Sequence, residues 1–231
     1  MIRLDFIPGT MCDARMWSGL APLLDDAADC RFVPLHEAHD RDAMRHTIAA
    51  HSAPAANLVA FSLGGYLALE HALAHPERVN SLVLIAASAQ GLAAEEIARR
   101  QRTMKVLASH AYGGMAPAQL REFVHPANMG RPEVVDVIKR MALELGKELL
   151  LAQFAASTER TDLLDRLPDL RCPVLLVGSE DDRKVDPADL RAMHARCPNS
   201  RLLMLRDCGH MIPLEAPPAL ASALRDFQGL N

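Results

Sequence analysis

The chain lacks the features that would tie it to a membrane, a nucleic acid or a disulfide framework. No run approaches the ~18 consecutive apolar residues of a bilayer-crossing helix, although half of the 231 residues are hydrophobic. Lysine and arginine number 25 against 29 acidic residues, a net charge of -4, without the basic excess of a nucleic-acid-binding surface. The opening Met1-Ile2-Arg3-Leu4-Asp5-Phe6 lacks the charged and long apolar regions of a secretory leader and reads as a first strand. The five cysteines, Cys12, Cys30, Cys172, Cys197 and Cys208, form an odd set without paired spacing. Reduced thiols in a cytoplasm are the expectation. No internal repeat or low-complexity tract interrupts the sequence, and the length fits one large domain with a well-buried core.

What is present is an alternation. Short β-rich apolar runs lie at Ile2 to Ile7, Arg31 to Leu35, Asn57 to Phe61, Ser81 to Ala86, Pro173 to Val177 and Arg201 to Leu205. Several are apolar at consecutive positions, the pattern of strands buried on both faces. Helix-like segments separate most of them: Met16 to Leu24, Asp42 to His51, Leu63 to His75, Pro187 to Arg196 and Pro218 to Phe227. The expected fold is α/β, a mostly parallel sheet of about six strands flanked by helices. Residues 93–167 break the rhythm with helical patterns only, interrupted at Gly113-Gly114, Pro126, Gly130 and Pro132. They are expected to form a helical lid inserted between the fourth and fifth strands, leaving 1–92 and 168–231 as the core. A long pair of crossover helices is the alternative reading.

The most informative local sequence is Ala60-Phe61-Ser62-Leu63-Gly64. A buried strand ends at Phe61, a helix starts at Leu63, and Ser62 occupies the sharp turn between small neighbours. The helix N-terminus aims free N–H groups at this spot and favours negative charge there. Serine at such a place also serves simply as a helix cap. The pentapeptide resembles the nucleophile elbow of the α/β-hydrolase family, G-x-S-x-G, with alanine for the first glycine. That family places a carboxylate after a late strand and a histidine after the last one. Here the corresponding segments are Gly178-Ser179-Glu180-Asp181 and Gly209-His210, the latter followed by Glu215 and Pro217. The resemblance therefore implies a triad of Ser62, Asp181 and His210, with Asp182 the alternative acid because it stands three residues before Val185. It further implies an oxyanion hole from the backbone N–H groups of Leu63 and of Thr10, in the loop Pro8-Gly9-Thr10-Met11, with Met11 as the fallback donor.

These residues imply a serine-nucleophile enzyme hydrolysing a small-molecule ester, lactone or thioester, with no metal and no organic cofactor. A lyase or acyltransferase using the same triad is the alternative, and a ligand receptor with a vestigial triad a further one. The compact form is similar to the esterase and enol-lactonase branch and to the menaquinone-pathway lyase. His71 and His75 stand four apart on an expected helix, a metal-compatible spacing without an evident third ligand. Arg99, Arg100, Arg102 and Lys105 read as a solvated helix face. Met104, Leu107, Met115, Leu120, Phe123, Met129 and Met141 could line an apolar pocket or fill the core of the lid.

Overall fold

The computed structural model describes residues 1–230. Six strands, β1 (Ile2–Ile7), β2 (Ala28–Phe32), β3 (Ala56–Phe61), β4 (Val79–Ile85), β5 (Val174–Ser179) and β6 (Ser200–Leu205), form one sheet in the order β2-β1-β3-β4-β5-β6. Every pairing is parallel. The helices are α1 (Arg41–His51), α2 (Leu63–Ala74), α3 (Ala94–Ser109), α4 (Pro117–Phe123), α5 (Pro132–Thr158), α6 (Pro187–Arg196), α7 (Ile212–Glu215) and α8 (Pro217–Gln228).

The consecutive apolar residues of the strands have the explanation expected of them. Val59, Phe61, Val83 and Ile85 face a core shared with Trp17, Leu220 and Leu224. Their neighbours Leu58, Ala60, Leu82 and Leu84 face a second core with Ile48, Leu67 and Met193. A parallel sheet must be covered on both faces, because its crossover helices return over them. All six strands run the same way, so the loops after them share one edge, where sites form in open α/β sheets.

Two elements differ from the sequence reading. The helix expected over Met16 to Leu24 is instead two 3-10 turns, Ala14–Trp17 and Ala21–Leu23. Pro22 removes a backbone donor from the middle of the expected helix, and Gly19 packs against Pro217. The edge strand β2 pairs with β1 from Ala28 onward, Ile2 opposite Ala28. It lies earlier than its most apolar stretch suggests.

Between β4 and β5 the chain forms α3, α4 and α5 and no strand. Helix α5 is broken at Gly146, whose φ of 80° and ψ of 176° leave the helical region. Leu120 and Met141 are buried in the first core, and Met115, Phe123 and Met129 pack against it. These side chains of the insertion extend the core of the domain. No helix among the described residues is long and apolar enough to cross a membrane.

Candidate active site

Ser62 follows β3 without a spacer and precedes α2 without one. To make that turn it adopts φ 51° and ψ -113°, a left-handed backbone that few non-glycine residues occupy. Its N–H is held by the Ile85 carbonyl oxygen at 2.9 Å and its carbonyl oxygen by the Tyr66 N–H at 3.1 Å. The small neighbours are required. A Cβ at Gly64 would collide with the Pro8 carbonyl oxygen, and one at Gly65 would lie 2.6 Å from the Ala87 Cβ. A side chain at Gly9 would meet the Phe61 ring at 2.7 Å, so the Pro8-Gly9 backbone lies directly on the elbow.

His210 reaches this serine from the far end of the chain. Its Nε2 is 3.1 Å from Ser62 Oγ and its Nδ1 is 2.9 Å from Asp182 Oδ2. The imidazole is buried and lies near the rings of Phe61 and Phe123, with centroids at 5.0 and 5.8 Å. The expected acid is corrected by one position, from Asp181 to Asp182. After β5 the chain turns over Ser179 to Asp182, which points the two carboxylates in different directions. Asp181 faces outward and accepts the Asp207 N–H at 2.9 Å. Asp182 faces inward, and its other oxygen accepts the N–H groups of Lys184 at 2.7 Å and Val185 at 3.1 Å. Burial alone would raise the Asp182 pKa, but His210 and these N–H donors outweigh it and hold the carboxyl below its ordinary 3.8.

The His210 loop is clamped by a buried carboxylate. Glu215 accepts hydrogen bonds from the N–H groups of Gly209 (3.0 Å), Met211 (3.1 Å) and His125 (2.8 Å), and from Asn128 Nδ2 (2.9 Å). The His210 N–H donates to the Phe123 carbonyl oxygen at 2.8 Å. The segment after α4 and the histidine loop thus form one unit. Gly209 is obligatory within it, since a Cβ there would lie 2.6 Å from the Phe123 oxygen.

The loop after β1 completes the site. Leu63 is the first residue of α2, so its N–H lies outside the helical ladder. No acceptor for the Thr10 N–H occurs among the described residues. Met11, the fallback donor, is already engaged. Its N–H donates to Gln153 Oε1 at 2.8 Å, and its φ is 54°. Sequence reasoning gave Gln153 no role. It comes from α5, is fully buried, and its Nε2 has no partner. Nothing local to either segment signals a contact between residues 142 positions apart.

His71 and His75 lie 5.1 Å apart between ring centroids, with their planes tilted by 50°. His71 is buried, and that burial, with the charges of His75 and Arg78, pulls its pKa down to about 4. No group of side chains with metal-ligand geometry occurs among the described residues.

Residues 34–217 match the family model described as the alpha/beta hydrolase fold. The chain belongs to this family. Among curated relatives it is similar to a pimeloyl-[acyl-carrier protein] methyl ester esterase of Neisseria meningitidis serogroup C. The two are 29% identical over 205 residues, covering 84% of this chain and 78% of the relative. Among solved structures it resembles a thermophilic esterase from Thermogutta terrifontis (TM-score 0.86, 23% identity, covering 99% of this chain and 90% of that one). It also resembles the enol-lactonase from Burkholderia xenovorans (TM-score 0.82, 19% identity, 99% and 91% covered). The α/β-hydrolase fold therefore extends over nearly the whole chain, the β4–β5 insertion included.

Proposed function

We propose that this α/β-hydrolase cleaves a small-molecule ester, lactone or thioester through Ser62, His210 and Asp182. The observation that carries the reading is the continuous relay from Ser62 Oγ through both ring nitrogens of His210 to the buried Asp182 carboxylate. A hydroxyl is a weak nucleophile until a base takes its proton. His210 Nε2 stands where it can accept that proton as Ser62 Oγ attacks the carbonyl carbon. Asp182 fixes the tautomer through Nδ1 and stabilises the imidazolium. The N–H groups of Thr10 and Leu63 receive the charge that develops on the carbonyl oxygen. His210 then returns the proton to the departing alcohol or thiol. Water, deprotonated by the same imidazole, releases the acid from Ser62.

The ester-cleaving names of the relatives support this reaction class, and the pimeloyl-[acyl-carrier protein] methyl ester esterases make an acyl-chain ester a sound first substrate. The insertion at 93–167 serves as a lid over the carboxyl edge of the sheet. The five unpaired cysteines fit a reducing compartment, and the proposal places the enzyme in the cytoplasm. The test is hydrolysis of p-nitrophenyl esters of increasing acyl length by the wild type and by Ser62→Ala. Turnover by the wild type alone is the expected result, and the length preference sizes the acyl pocket. No turnover by either removes the esterase reading and leaves elimination by the same triad.

A further inference from the structure

Two arginines gather around Tyr66, one turn beyond the candidate nucleophile, and a third, Arg100, lies near Arg160. The guanidinium carbons of Arg41 and Arg160 lie 5.5 and 5.0 Å from the centre of the same Tyr66 ring. Arg100 lies 5.3 Å from the Phe154 ring centre and donates to Ser157 Oγ at 2.7 Å. Parallel strands put the starts of α1, α2 and α3 at the carboxyl edge of the sheet. Arg41, Tyr66 and Arg100 all lie within the first two turns of those helices. The cluster therefore shares the edge on which Ser62, His210 and Asp182 meet.

The three cations are not equally provided for. Arg41 pairs with Glu70, and Arg100 is held by Glu96 at 2.8 Å. Arg160 makes neither an ion pair nor a hydrogen bond among the described residues, and its Nε is buried without a partner. Asp189 is the nearby carboxylate that favours its charge, and one oxygen of Asp189 accepts from Gln90 Nε2 at 2.8 Å. Burial, then the like charge of Arg100 and to a lesser degree of Arg41, pulls the Arg160 pKa below its ordinary range. The Tyr66 hydroxyl donates to the Thr161 carbonyl oxygen at 2.7 Å and fixes the chain next to Arg160. A half-buried guanidinium held against an aromatic face, near two other cations and with no carboxylate in ion-pair contact, is organised to receive an anion.

We propose that Arg160, flanked by Arg41 and Arg100, is an anion subsite of the active site that takes a compact anionic group of the substrate, a carboxylate or a phosphate. That this anion belongs to a substrate rests on the hydrolase reading; the anion site itself does not. A planar guanidinium binds either group through paired N–H donors. The substrate class narrows accordingly to esters that carry a second, negatively charged end.

The test is calorimetric titration of the wild type, Arg160→Gln and Arg160→Lys with adipate and with inorganic phosphate. It is paired with inhibition of p-nitrophenyl acetate hydrolysis by the same anions. The expected result is binding by the wild type, weakened about tenfold or more in Arg160→Gln and partly restored in Arg160→Lys. Inhibition is competitive in the wild type and lost in Arg160→Gln. Tighter adipate binding assigns the site to carboxylates, and tighter phosphate binding to phosphoryl groups. Absence of binding, or equal binding by wild type and Arg160→Gln, overturns the proposal, as does binding without competition. If the acetate ester is not hydrolysed, the hydrolase reading fails while the titration still decides the anion site.

Discussion

Two loops close on Ser62, and they are held by opposite kinds of chemistry. The His210 loop is fixed by a buried charge, the Glu215 carboxylate, which takes four N–H donors and joins the loop to the segment after α4. Met11 itself is held by one neutral contact, from its N–H to the Gln153 amide oxygen, the other end of that amide being unpartnered, while the charged Arg15–Glu144 contact to α5 lies four residues further on and is part-exposed. Charge-assisted bonds are about twice as strong as neutral ones, and stranding their donors in the interior is expensive. His210, the proposed base, is therefore held by charge, while the backbone at Met11, beside the proposed oxyanion donor Thr10, rests on one neutral acceptor from α5. On the proposed mechanism, the proton-transfer side is the more strongly anchored of the two, and the oxyanion side is coupled to α5 through Gln153.

The largest expected effect belongs to the relay itself. Ser62→Ala and His210→Ala should lower kcat by about 10⁴-fold or more, and Asp182→Asn by about 10⁴-fold, since the amide supports the wrong tautomer. Asp181→Asn should change kcat less than about twofold, because that carboxylate serves only the Asp207 N–H on the surface. Steady-state kinetics of the neighbouring pair decides which carboxylate works. A large loss in Asp181→Asn would reverse the assignment.

The contrast between the loops sharpens with two substitutions. Glu215→Gln keeps the shape but turns an amide N–H₂ toward a backbone donor. It should lower stability by about 1–3 kcal/mol in chemical unfolding and reduce kcat along with it. Gln153→Leu strands the Met11 N–H but also removes the buried, unpartnered Nε2, so the two partly offset and the stability change should stay near about 1 kcal/mol. Its kcat should nevertheless fall about tenfold at nearly constant KM, because the oxyanion loop loses its register. Equal stability losses from the two changes would erase the distinction between charged and neutral anchoring.

The smallest effect is in pH. Asp182 is held below its ordinary pKa of 3.8, so its contribution to folding is present above the unfolded value, about 3.9. That contribution is lost as pH falls through the lower folded value. The Tm difference between wild type and Asp182→Asn should be constant above about pH 5 and shrink in more acid solution. A difference that grows on acidification would contradict the depressed carboxyl.

The parts of this site that local pattern can carry were legible in the sequence. Strands buried on both faces announce themselves as apolar runs, and Ser62 and His210 each sit in a motif with its own spacing. The choice between Asp181 and Asp182 was not legible. Adjacent residues share every compositional cue, and only the turn from Ser179 decides which one faces His210. Gln153 was invisible for a related reason, since its partner lies 142 positions away. Arg100 was expected on a solvated face with Arg99, Arg102 and Lys105. Those three are exposed, whereas Arg100 turns inward to Ser157.

The position of the clamp sets the order in which the enzyme comes alive. Ser62, the oxyanion loop and the whole insertion leave the ribosome well before Gly209 to Glu215, and the base follows the nucleophile by 148 residues. A nascent chain that ends at β6 holds Ser62 without His210 and an insertion without the Glu215 carboxylate that binds it. On the proposed triad no base reaches Ser62 until this segment is made, and the same segment brings the carboxylate that holds His125 and Asn128 of the insertion.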